Sequence, residues 1–214
     1  MPTFRCQTCQ TSFSIAAAKL ARFPGWTPRF CQAHSPTKPK SGRARGSSGT
    51  REENLTPKEV LERYTAGPDT GVFTDGSAVP NPGPGGWGMV WVERGEIRAE
   101  DHGHAPMTTN NRMELTALLA AFGNLPEDAD LEVHTDSRLC VDTITKWAPG
   151  WERNGWKKKT GPIKNLELVQ ELLALARERP RVKLVWIAAH SGNRWNEYAD
   201  SLASAWRRDG NRRG

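Results

Sequence analysis

The run Val72-Phe73-Thr74-Asp75-Gly76-Ser77 joins β-branched and aromatic residues to an aspartate at its end and a glycine that breaks it. Alone, this pattern is typical of an ordinary turn after a strand. A second short run, Leu131-Glu132-Val133-His134-Thr135, is also followed by an acid, Asp136. Glu114 and Asp200 each open a predicted helix. Four carboxylates at the ends of four elements indicate a metal site.

The chain after this first strand predicts an α/β domain. The stretch Asn81-Pro82-Gly83-Pro84-Gly85-Gly86 predicts a turn. The elements predicted after it are a hairpin over 87–92 and 97–100 around Arg94-Gly95, a helix from about Asn110, a strand over 131–135, helices over about 137–146 and 163–178, a strand over 182–188 and a helix over about 196–208. A meander followed by alternating helices and strands predicts a mixed five-stranded sheet with helices on both faces.

The placement of the four acids follows from this sheet. If the two acid-bearing strands are parallel neighbours, Asp75 and Asp136 emerge at the same carboxyl-terminal edge. Glu114 and Asp200 flank the apolar stripes of their helices, so we expect both near the buried side. Clustered buried acids raise one another's pKa and are costly unless a cation meets them. Oxygen ligands favour Mg²⁺ or Mn²⁺ over zinc, and two such ions suit phosphodiester hydrolysis.

Length and composition fit a soluble globular protein. The 214 residues can hold one domain of about 150 residues plus an extension. No apolar run approaches the roughly 18 residues of a membrane span, so we expect no membrane association. The first residues lack the long apolar core of a secretory signal. We therefore expect a cytoplasmic location, in which the four cysteines are reduced thiols or metal ligands.

The net charge of +6 is concentrated near the amino terminus. Residues 1–54 hold nine Lys and Arg against two acids, whereas the remaining residues hold 21 against 22. A basic arm on a nearly neutral body indicates contact with a polyanion, and the alternative is a solubilising tail.

The amino-terminal residues have the ligand spacing of a zinc site. Cys6-x2-Cys9 and Cys31-x2-His34 form two ligand pairs, which suit a tetrahedral Cys3His zinc site in a module of residues 1–34. So short a segment cannot pack a core alone, so the metal would supply folding energy. The alternative is three unrelated thiols and a surface histidine. Residues 35–54 predict a flexible basic linker, and 55–214 a folded domain that begins with a helix capped by Thr56.

A basic tract rich in tryptophan runs from Lys146 to Lys164. Its aromatic residues are Trp147, Trp151 and Trp156, and its cations after Trp151 are Arg153, Lys157, Lys158, Lys159 and Lys164. Aromatic plates among basic groups suit a nucleic-acid groove. The alternative is that the tryptophans are core residues and the lysines are simply solvated; we expect partial burial of Trp147. Cys140, among apolar neighbours, is predicted to be a buried structural thiol.

Five runs together resemble type 1 ribonuclease H, in order and at the expected intervals, over roughly residues 70–208. They are Thr74-Asp75-Gly76-Ser77, Asn81-Pro82-Gly83-Pro84-Gly85-Gly86, Thr108-Thr109-Asn110-Asn111-Arg112-Met113-Glu114-Leu115, Thr135-Asp136-Ser137 and Ala189-His190-Ser191-Gly192 before Asn196-Glu197-Tyr198-Ala199-Asp200. The resemblance implies the ribonuclease H fold, here preceded by a zinc-knuckle module. It also implies endonucleolytic cleavage of the RNA strand of RNA/DNA hybrids, leaving 5′-phosphate and 3′-hydroxyl ends.

The resemblance also implies roles for individual residues. The metal-binding catalytic acids would be Asp75, Glu114, Asp136 and Asp200, holding two Mg²⁺ or Mn²⁺ ions, and His190 would assist proton movement or product departure. The implied substrate contacts are Asn81, Asn110 and Asn111 to the RNA strand or flanking nucleotides, Thr109 to a DNA phosphate, and the tract with Trp147, Trp151, Trp156, Lys157, Lys158 and Lys159 to the DNA strand. The alternatives are that Asn110 and Asn111 cap their helix and that His190 is an ordinary surface residue.

Two other functions compete with a hybrid nuclease that acts as a monomer. One is an integrase-like or exonucleolytic enzyme of the same broad fold, against which the Asn-Asn-Arg-Met-Glu helix and the tryptophan tract argue. The other is a non-catalytic nucleic-acid adaptor that uses the zinc module and a vestigial nuclease fold. The intact set of four acids argues against the adaptor. The chain departs from the family at Ala189, where glycine is common, and a stiffer loop is expected there.

Overall fold

The computed structural model describes residues 2–7, 9–15, 17, 27, 29, 54–158 and 160–210. The chain divides into two compact units, Met1–Glu52 and Glu53–Gly214. The predicted zinc ligands Cys31 and His34, Lys159 and residues 35–53 of the predicted linker lie outside the described residues. Within the described ranges, none of the helices is both long enough and apolar enough to cross a membrane.

The described part of the first unit contains a β-hairpin. Strand β1 (Thr3–Arg5) pairs antiparallel with β2 (Ser12–Ser14), and Phe4 lies opposite Phe13. The two phenylalanine ring centroids are 6.1 Å apart, within the range of favourable aromatic pairs. The hairpin holds together the short turn that carries the first two cysteines.

The second unit alternates strands and helices around one sheet. Its strands are β3 (Gly71–Ala78), β4 (Gly83–Glu93), β5 (Glu96–Thr108), β6 (Glu132–Thr135) and β7 (Lys183–Trp186). Its helices are α1 (Pro57–Arg63), α2 (Asn110–Asn124), α3 (Arg138–Asp142), α4 (Ala148–Arg153), α5 (Leu166–Glu178), α6 (Arg194–Ala203) and α7 (Ala205–Gly210), with a π-helical turn at Thr143–Trp147 between α3 and α4.

The sheet is mixed and has the strand order β5-β4-β3-β6-β7. Strands β3, β4 and β5 form an antiparallel meander, whereas β3–β6 and β6–β7 pair in parallel. This confirms the predicted mixed five-stranded sheet. The two acid-bearing strands are parallel neighbours, which is the condition under which Asp75 and Asp136 were expected at one edge. β3 is the central strand, which explains its nearly continuous run of buried residues.

Helices cover both faces of the sheet, as predicted. Successive residues of a strand point to opposite faces, and Val72 and Phe73 of β3 enter two different cores. Val72 packs in the core that contains Leu118 of α2 and Leu172 of α5. Phe73 packs in the core that contains Val60 of α1, together with residues of α6. The central strand is therefore held from both sides, which fixes the strand that carries Asp75.

Side-chain caps set the starts of two helices. At α1 the Thr56 N–H donates to Glu59 Oε2 at 2.7 Å, and the Glu59 N–H donates to Thr56 Oγ1 at 3.3 Å. This capping box begins α1 at Pro57, as the sequence predicts. At α2 the cap is Thr109, whose Oγ1 accepts from the Arg112 N–H at 3.3 Å. Helix α2 thus begins at Asn110, where a helix was predicted.

The stretch 81–86 was predicted as a turn, and that prediction was wrong for its last four residues, 83–86. β4 already begins at Gly83, and β5 continues to Thr108, well beyond the predicted end of the hairpin. The reason is the close approach of α6 to β4. A Cβ on Gly86 would lie 2.3 Å from the Ala203 carbonyl oxygen, and a Cβ on Gly88 would lie 2.5 Å from the Leu202 Cβ. Gly86 and Gly88 therefore make room for a helix.

Candidate active site

Four carboxylates meet at the edge of the sheet where the pairing of β3 with β6 ends. Asp75 follows the last paired residue of β3, and Asp136 follows β6 directly. Side-chain oxygens of Asp75, Glu114 and Asp136 all lie within 4.8 Å of one another. The side chains of Asp75 and Asp200 share a hydrogen bond. The structure thus brings together the four acids that the sequence analysis selected.

Two local expectations about these acids were wrong. β3 does not end at Asp75, because its antiparallel pairing with β4 continues to Ala78. Asp200 does not open a helix, because it lies well inside α6, which begins at Arg194. In both cases the acid is more firmly embedded in regular structure than predicted, and its position is correspondingly better fixed.

Burial and mutual repulsion hold protons on these carboxyl groups. The pKa of Asp75 is raised well above its usual range, first by burial and then by the Asp200 and Asp136 carboxylates. The pKa of Glu114 is likewise raised well above its usual range by burial, then by Asp75 and Asp136, although a Thr135 hydroxyl hydrogen bond at 3.4 Å opposes the shift. Burial also raises the pKa of Asp136. Bringing these groups together is therefore unfavourable when all are ionised.

A hard divalent cation fits this set of groups. The donors of the group formed by Asp75, Glu114 and Asp136 are carboxylate oxygens, which Mg²⁺ and Mn²⁺ prefer. Their spacing is compatible with a shared ion whose oxygen bonds are about 2.1 Å long. Asp75, Glu114 and Asp136 could hold such an ion, and Asp200 is in direct contact with Asp75. A bound cation would compensate the repulsion that raises the pKa of these carboxyl groups.

Gly76 lets Glu114 approach Asp75. A Cβ on Gly76 would lie 2.3 Å from the Glu114 nitrogen and 2.3 Å from the Met113 carbonyl carbon. These are backbone atoms of α2, so no side-chain rotation could relieve the clash. The glycine after the aspartate therefore permits direct packing of the helix on the strand.

His190 lies at the outer side of the acid cluster. Its backbone has φ of +47°, and its side chain is exposed. The His190 Nδ1 is 3.9 Å from Oε2 of Glu197, a buried residue whose Oε1 accepts from the Gly192 N–H at 3.3 Å. Ligand atoms of His190, Glu197 and Asp200 lie within 4.8 Å of one another. Sequence analysis missed Glu197, although its place one helical turn before Asp200 could have indicated it.

Two of the predicted substrate-contact asparagines join α2 to the loop after β3. The Asn110 Oδ1 accepts from the Ala78 N–H at 2.7 Å, and the Asn81 Oδ1 accepts from the Asn110 N–H at 3.2 Å. The capping side chain is that of Thr109, so the alternative in which Asn110 and Asn111 cap the helix was wrong. These bonds place Asn81, Thr109 and Asn110 beside one another at the start of α2.

Asn111 belongs to a second network that sequence analysis missed. Its Oδ1 accepts from Asn165 Nδ2 at 2.9 Å, and its Nδ2 contacts the Cys140 sulfur at 3.7 Å. Asn165 has φ of +53°, a conformation that asparagine tolerates, and it also accepts from Arg112. Arg112 in turn pairs with Glu167. The network ties the start of α2 to the start of α5.

The tryptophan tract borders a groove of about 190 Å³. Trp147 is 41% exposed, and its ring centroid is 6.1 Å from that of Trp151. The Lys158 Nζ lies 5.7 Å from the Trp151 ring centroid, and Lys164 also lines the groove. Trp151 and Trp156 pack against the core that contains Val72. The alternative that the tryptophans are core residues is therefore correct for part of each of these two side chains. Lys157 is exposed.

Cys140 is fully buried, and burial raises the pKa of its thiol to about 12. Because the thiolate is the reactive form, we expect native Cys140 to resist alkylation at pH 8. Mass spectrometry after iodoacetamide treatment of native protein should find Cys140 unmodified, whereas the same treatment in denaturant should label it fully. Rapid labelling of the folded protein would contradict the buried, protonated state.

The first two predicted zinc ligands lie in the turn of the amino-terminal hairpin. Cys6 is fully buried and Cys9 is exposed. The Gln10 N–H donates to the Cys6 carbonyl at 2.9 Å, which closes a turn that contains both cysteines. The Gln7 N–H donates to the Arg29 carbonyl at 2.8 Å. The chain two residues before Cys31 is therefore held against this turn.

Comparison with known proteins gives one family. A family model described as RNase H matches residues 68–207. A protein of Rhizobium meliloti (strain 1021) named Ribonuclease H is 47% identical over 135 residues, which are 62% of this chain and 86% of the relative. A Ribonuclease H of Methylorubrum extorquens (strain PA1) is 45% identical over 138 residues, 64% of this chain and 60% of the relative.

Solved structures agree with the sequence comparisons. The crystal structure of LC9-RNase H1, a type 1 RNase H with the type 2 active-site motif, superposes with a TM-score of 0.53 at 32% identity, covering 66% of this chain and 74% of that one. The N-terminal RNase H domain of a Mycobacterium tuberculosis protein, solved as a fusion with maltose binding protein, gives a TM-score of 0.52 at 27% identity, covering 67% of this chain and 97% of that one.

Proposed function

Since this chain belongs to the ribonuclease H family, we propose that it hydrolyses the RNA strand of RNA/DNA hybrids at internal positions, leaving 5′-phosphate and 3′-hydroxyl ends. The observation that carries the proposal is the convergence of Asp75, Glu114 and Asp136, with Asp200 in contact with Asp75. Such a pocket can neutralise and orient a phosphodiester through divalent cations.

The four acids would hold two Mg²⁺ or Mn²⁺ ions. Bound cations of this kind activate water and offset charge on the reacting phosphate. Asp75, Glu114 and Asp136 supply a rigid set of oxygens, because β3, α2 and β6 fix their backbones. Asp200, on α6, extends the set toward His190.

His190 is the residue of the cluster that is placed to move a proton. It is exposed at the edge of the pocket, and its proximity opposes the effect of burial, which raises the pKa of Asp136. Glu197 Oε2 lies 3.9 Å from His190 Nδ1, where it can pair with a protonated imidazole. We propose that His190 assists proton movement or product departure as the RNA strand is cut.

Substrate selection would come from residues around the pocket. Asn81, Asn110 and Asn111 would contact the RNA strand, whose 2′-hydroxyl groups distinguish it from DNA, and Thr109 would contact a DNA phosphate. Asn111 also lines the groove that contains Trp147, Trp151 and Lys158. Trp156, Lys157 and Lys159 belong to the same tract of the sequence. The aromatic faces and charges of this groove suit the DNA strand.

A cleavage assay tests the proposal directly. End-labelled RNA/DNA hybrid, RNA duplex and DNA duplex are incubated with protein in Mg²⁺ or Mn²⁺, and the product ends are identified. We expect internal cuts in the RNA strand of the hybrid alone. Hybrid binding without cleavage by wild-type protein would support the alternative of a non-catalytic adaptor, and progressive removal of terminal nucleotides would support the exonucleolytic alternative.

We also propose that residues 1–34 form a zinc-binding module with Cys6, Cys9, Cys31 and His34 as ligands. Three observations support it: the spacing of the two ligand pairs, the placement of Cys6 and Cys9 in one hairpin turn, and the bond from Gln7 to Arg29. Such a site would supply folding energy that so short a module lacks.

Metal analysis of the purified chain checks the zinc proposal. Wild-type protein is expected to retain about one zinc per chain after dialysis, the content of one tetrahedral site. The double variant Cys6→Ser, Cys31→Ser should lose this zinc, because two ligands are removed. Cys140→Ser is the matched control, since its sulfur lies in the other unit, and it should keep the zinc. Zinc content unchanged in the double variant would refute the site.

A further inference from the structure

Trp186, the last residue of β7, is a large aromatic residue left 42% exposed beside the acid cluster. Its indole Nε1 donates a hydrogen bond to the main-chain carbonyl of Asp136 at 3.0 Å. Exposure of so much apolar surface gains nothing from the hydrophobic effect. The hydrophobic effect therefore does not explain the position of this exposed ring, whereas the hydrogen bond to the Asp136 backbone does.

The Asp136 carbonyl is held by two donors. Besides the indole, the Arg138 N–H donates to it at 3.0 Å. The Ser137 N–H donates to Thr135 Oγ1 at 3.1 Å, which closes the same turn. The indole bond joins this turn to β7, whereas the other two bonds are local. Trp186 thus anchors the Asp136 backbone to a strand that carries none of the four acids.

The neighbours of Trp186 fix the indole in this orientation. Trp186 pairs with Thr135 across β6 and β7, and the Ile187 N–H donates to the Thr135 carbonyl at 3.0 Å. The Arg138 guanidinium lies 5.3 Å from the ring centroid, and the Arg138 Nε is 3.8 Å from Asp142 Oδ2. The ring therefore has a cation near its face, and its N–H is directed at the Asp136 carbonyl.

We propose that Trp186 is a positioning residue for the metal site. Its indole N–H holds the Asp136 main chain so that the carboxylate stays within 4.8 Å of those of Asp75 and Glu114. Loss of this bond lets the turn relax and weakens the binding of a divalent cation, since groups that orient a ligand typically affect metal affinity by about 10–100-fold. The proposal rests on the proposed function of the acid cluster.

The experiment compares Trp186→Phe with the same substitution at a second tryptophan, Trp91. Trp186→Phe keeps an aromatic ring under Arg138 and removes the N–H. Trp91→Phe is the control, because the buried Trp91 Nε1 has no hydrogen-bond partner among the described residues. Mg²⁺ and Mn²⁺ binding is measured by calorimetry on the full chain without nucleic acid. The kcat, the KM for hybrid and the Mg²⁺ concentration for half-maximal activity are measured separately.

For Trp186→Phe we expect about tenfold weaker Mg²⁺ binding and a similar rise in the half-maximal Mg²⁺ concentration. The KM for hybrid should change less than about twofold when Mg²⁺ is saturating, and Tm should fall by less than about 4 °C, the effect of one hydrogen bond. Trp91→Phe should leave Mg²⁺ affinity unchanged. A second variant carries benzothienylalanine at residue 186, which preserves the ring shape without an N–H, and it should weaken Mg²⁺ binding equally.

Unchanged Mg²⁺ affinity in both Trp186 variants, with wild-type protein that binds Mg²⁺ and cleaves hybrid, would overturn this inference and leave the proposed function standing. Weaker binding in Trp186→Phe but not in the benzothienylalanine variant would also overturn it, because packing rather than the N–H would then be responsible. Wild-type protein that neither binds Mg²⁺ nor cleaves hybrid would overturn the proposed function itself, and the inference with it.

Discussion

Replacement of Asp75 by asparagine is expected to slow hybrid cleavage about 10²–10³-fold while making the metal-free protein more stable. The carboxylate is a proposed ligand, and loss of one preorganised electrostatic group commonly costs about 10²–10³-fold in rate. In the absence of a cation, however, the same carboxylate is buried among Asp200, Asp136 and Glu114. Asparagine removes that repulsion, and we expect a gain of about 1–2 kcal/mol in the free energy of unfolding.

The gain should depend on pH and on metal. Because the folded state raises the pKa of Asp75 and Glu114, it keeps protons that the unfolded chain releases above about pH 4. The free energy of unfolding of the metal-free wild type therefore falls as pH rises through the raised pKa values of the folded state. In Asp75→Asn the free energy of unfolding should decrease less as pH rises. Mg²⁺ should also oppose it in the wild type, by binding to the folded state.

Thermal unfolding in EDTA and in Mg²⁺, from pH 5 to pH 8, measures both effects. In EDTA at pH 8 we expect Asp75→Asn to unfold about 2–8 °C above the wild type. In Mg²⁺ we expect this difference in unfolding temperature to become smaller or to change sign. Asp142→Asn is the matched control, since Lys146 lowers the pKa of Asp142 and the substitution removes a favourable pair. If Asp75→Asn unfolded below the wild type in EDTA, the repulsion among the four carboxylates would be contradicted.

Replacement of Gly76 by alanine is expected to damage both stability and activity. The new Cβ would meet the backbone of Met113 and Glu114 at 2.3 Å, so α2 must move away from β3. Overpacking of this kind costs about 1–3 kcal/mol, and we expect the upper end because backbone atoms cannot rotate away. The displacement also separates Glu114 from Asp75, and a shift of about 1 Å can cost about 10²-fold in rate.

Chemical denaturation and steady-state kinetics check this prediction, with Gly123→Ala as the control. Gly123 lies in α2, its backbone is helical, and a Cβ at this position would meet no other part of the described chain within 4 Å. Alanine there should raise stability by about 0.5–1 kcal/mol and leave cleavage unchanged. A Gly76→Ala variant as stable and as active as the wild type would show that α2 does not depend on the glycine for its approach.

Much of the fold could be predicted because its determinants are local. The capping residues Thr56 and Glu59 are three positions apart, and the apolar stripe of α2 repeats every three or four residues. The glycines after Asn81 misled the prediction because glycine serves both turns and close packing, and here Gly86 and Gly88 accommodate α6. Which of these two uses applies depends on a helix more than a hundred residues away in the chain.

The candidate site also has features that could be predicted from the sequence and features that could not. The identities of Asp75, Glu114, Asp136 and Asp200 could be selected from the sequence, because each lies at a recognisable position relative to an apolar run. The contacts that orient them could not. Asn111 meets Asn165 across 54 positions of the chain, and Trp186 meets Asp136 across 50. No spacing rule links residues so far apart.

By itself the sequence determined most strands and helices of the second unit and the identities of the four acids. Those features depend on periodicity, capping and chain connectivity over short distances. Only the tertiary structure decided that Asn111 bonds to Asn165, that Glu197 contacts His190 and that Trp186 holds the Asp136 carbonyl. Such contacts depend on strand order and on how closely helices approach the sheet, which are set by the packing of the whole unit.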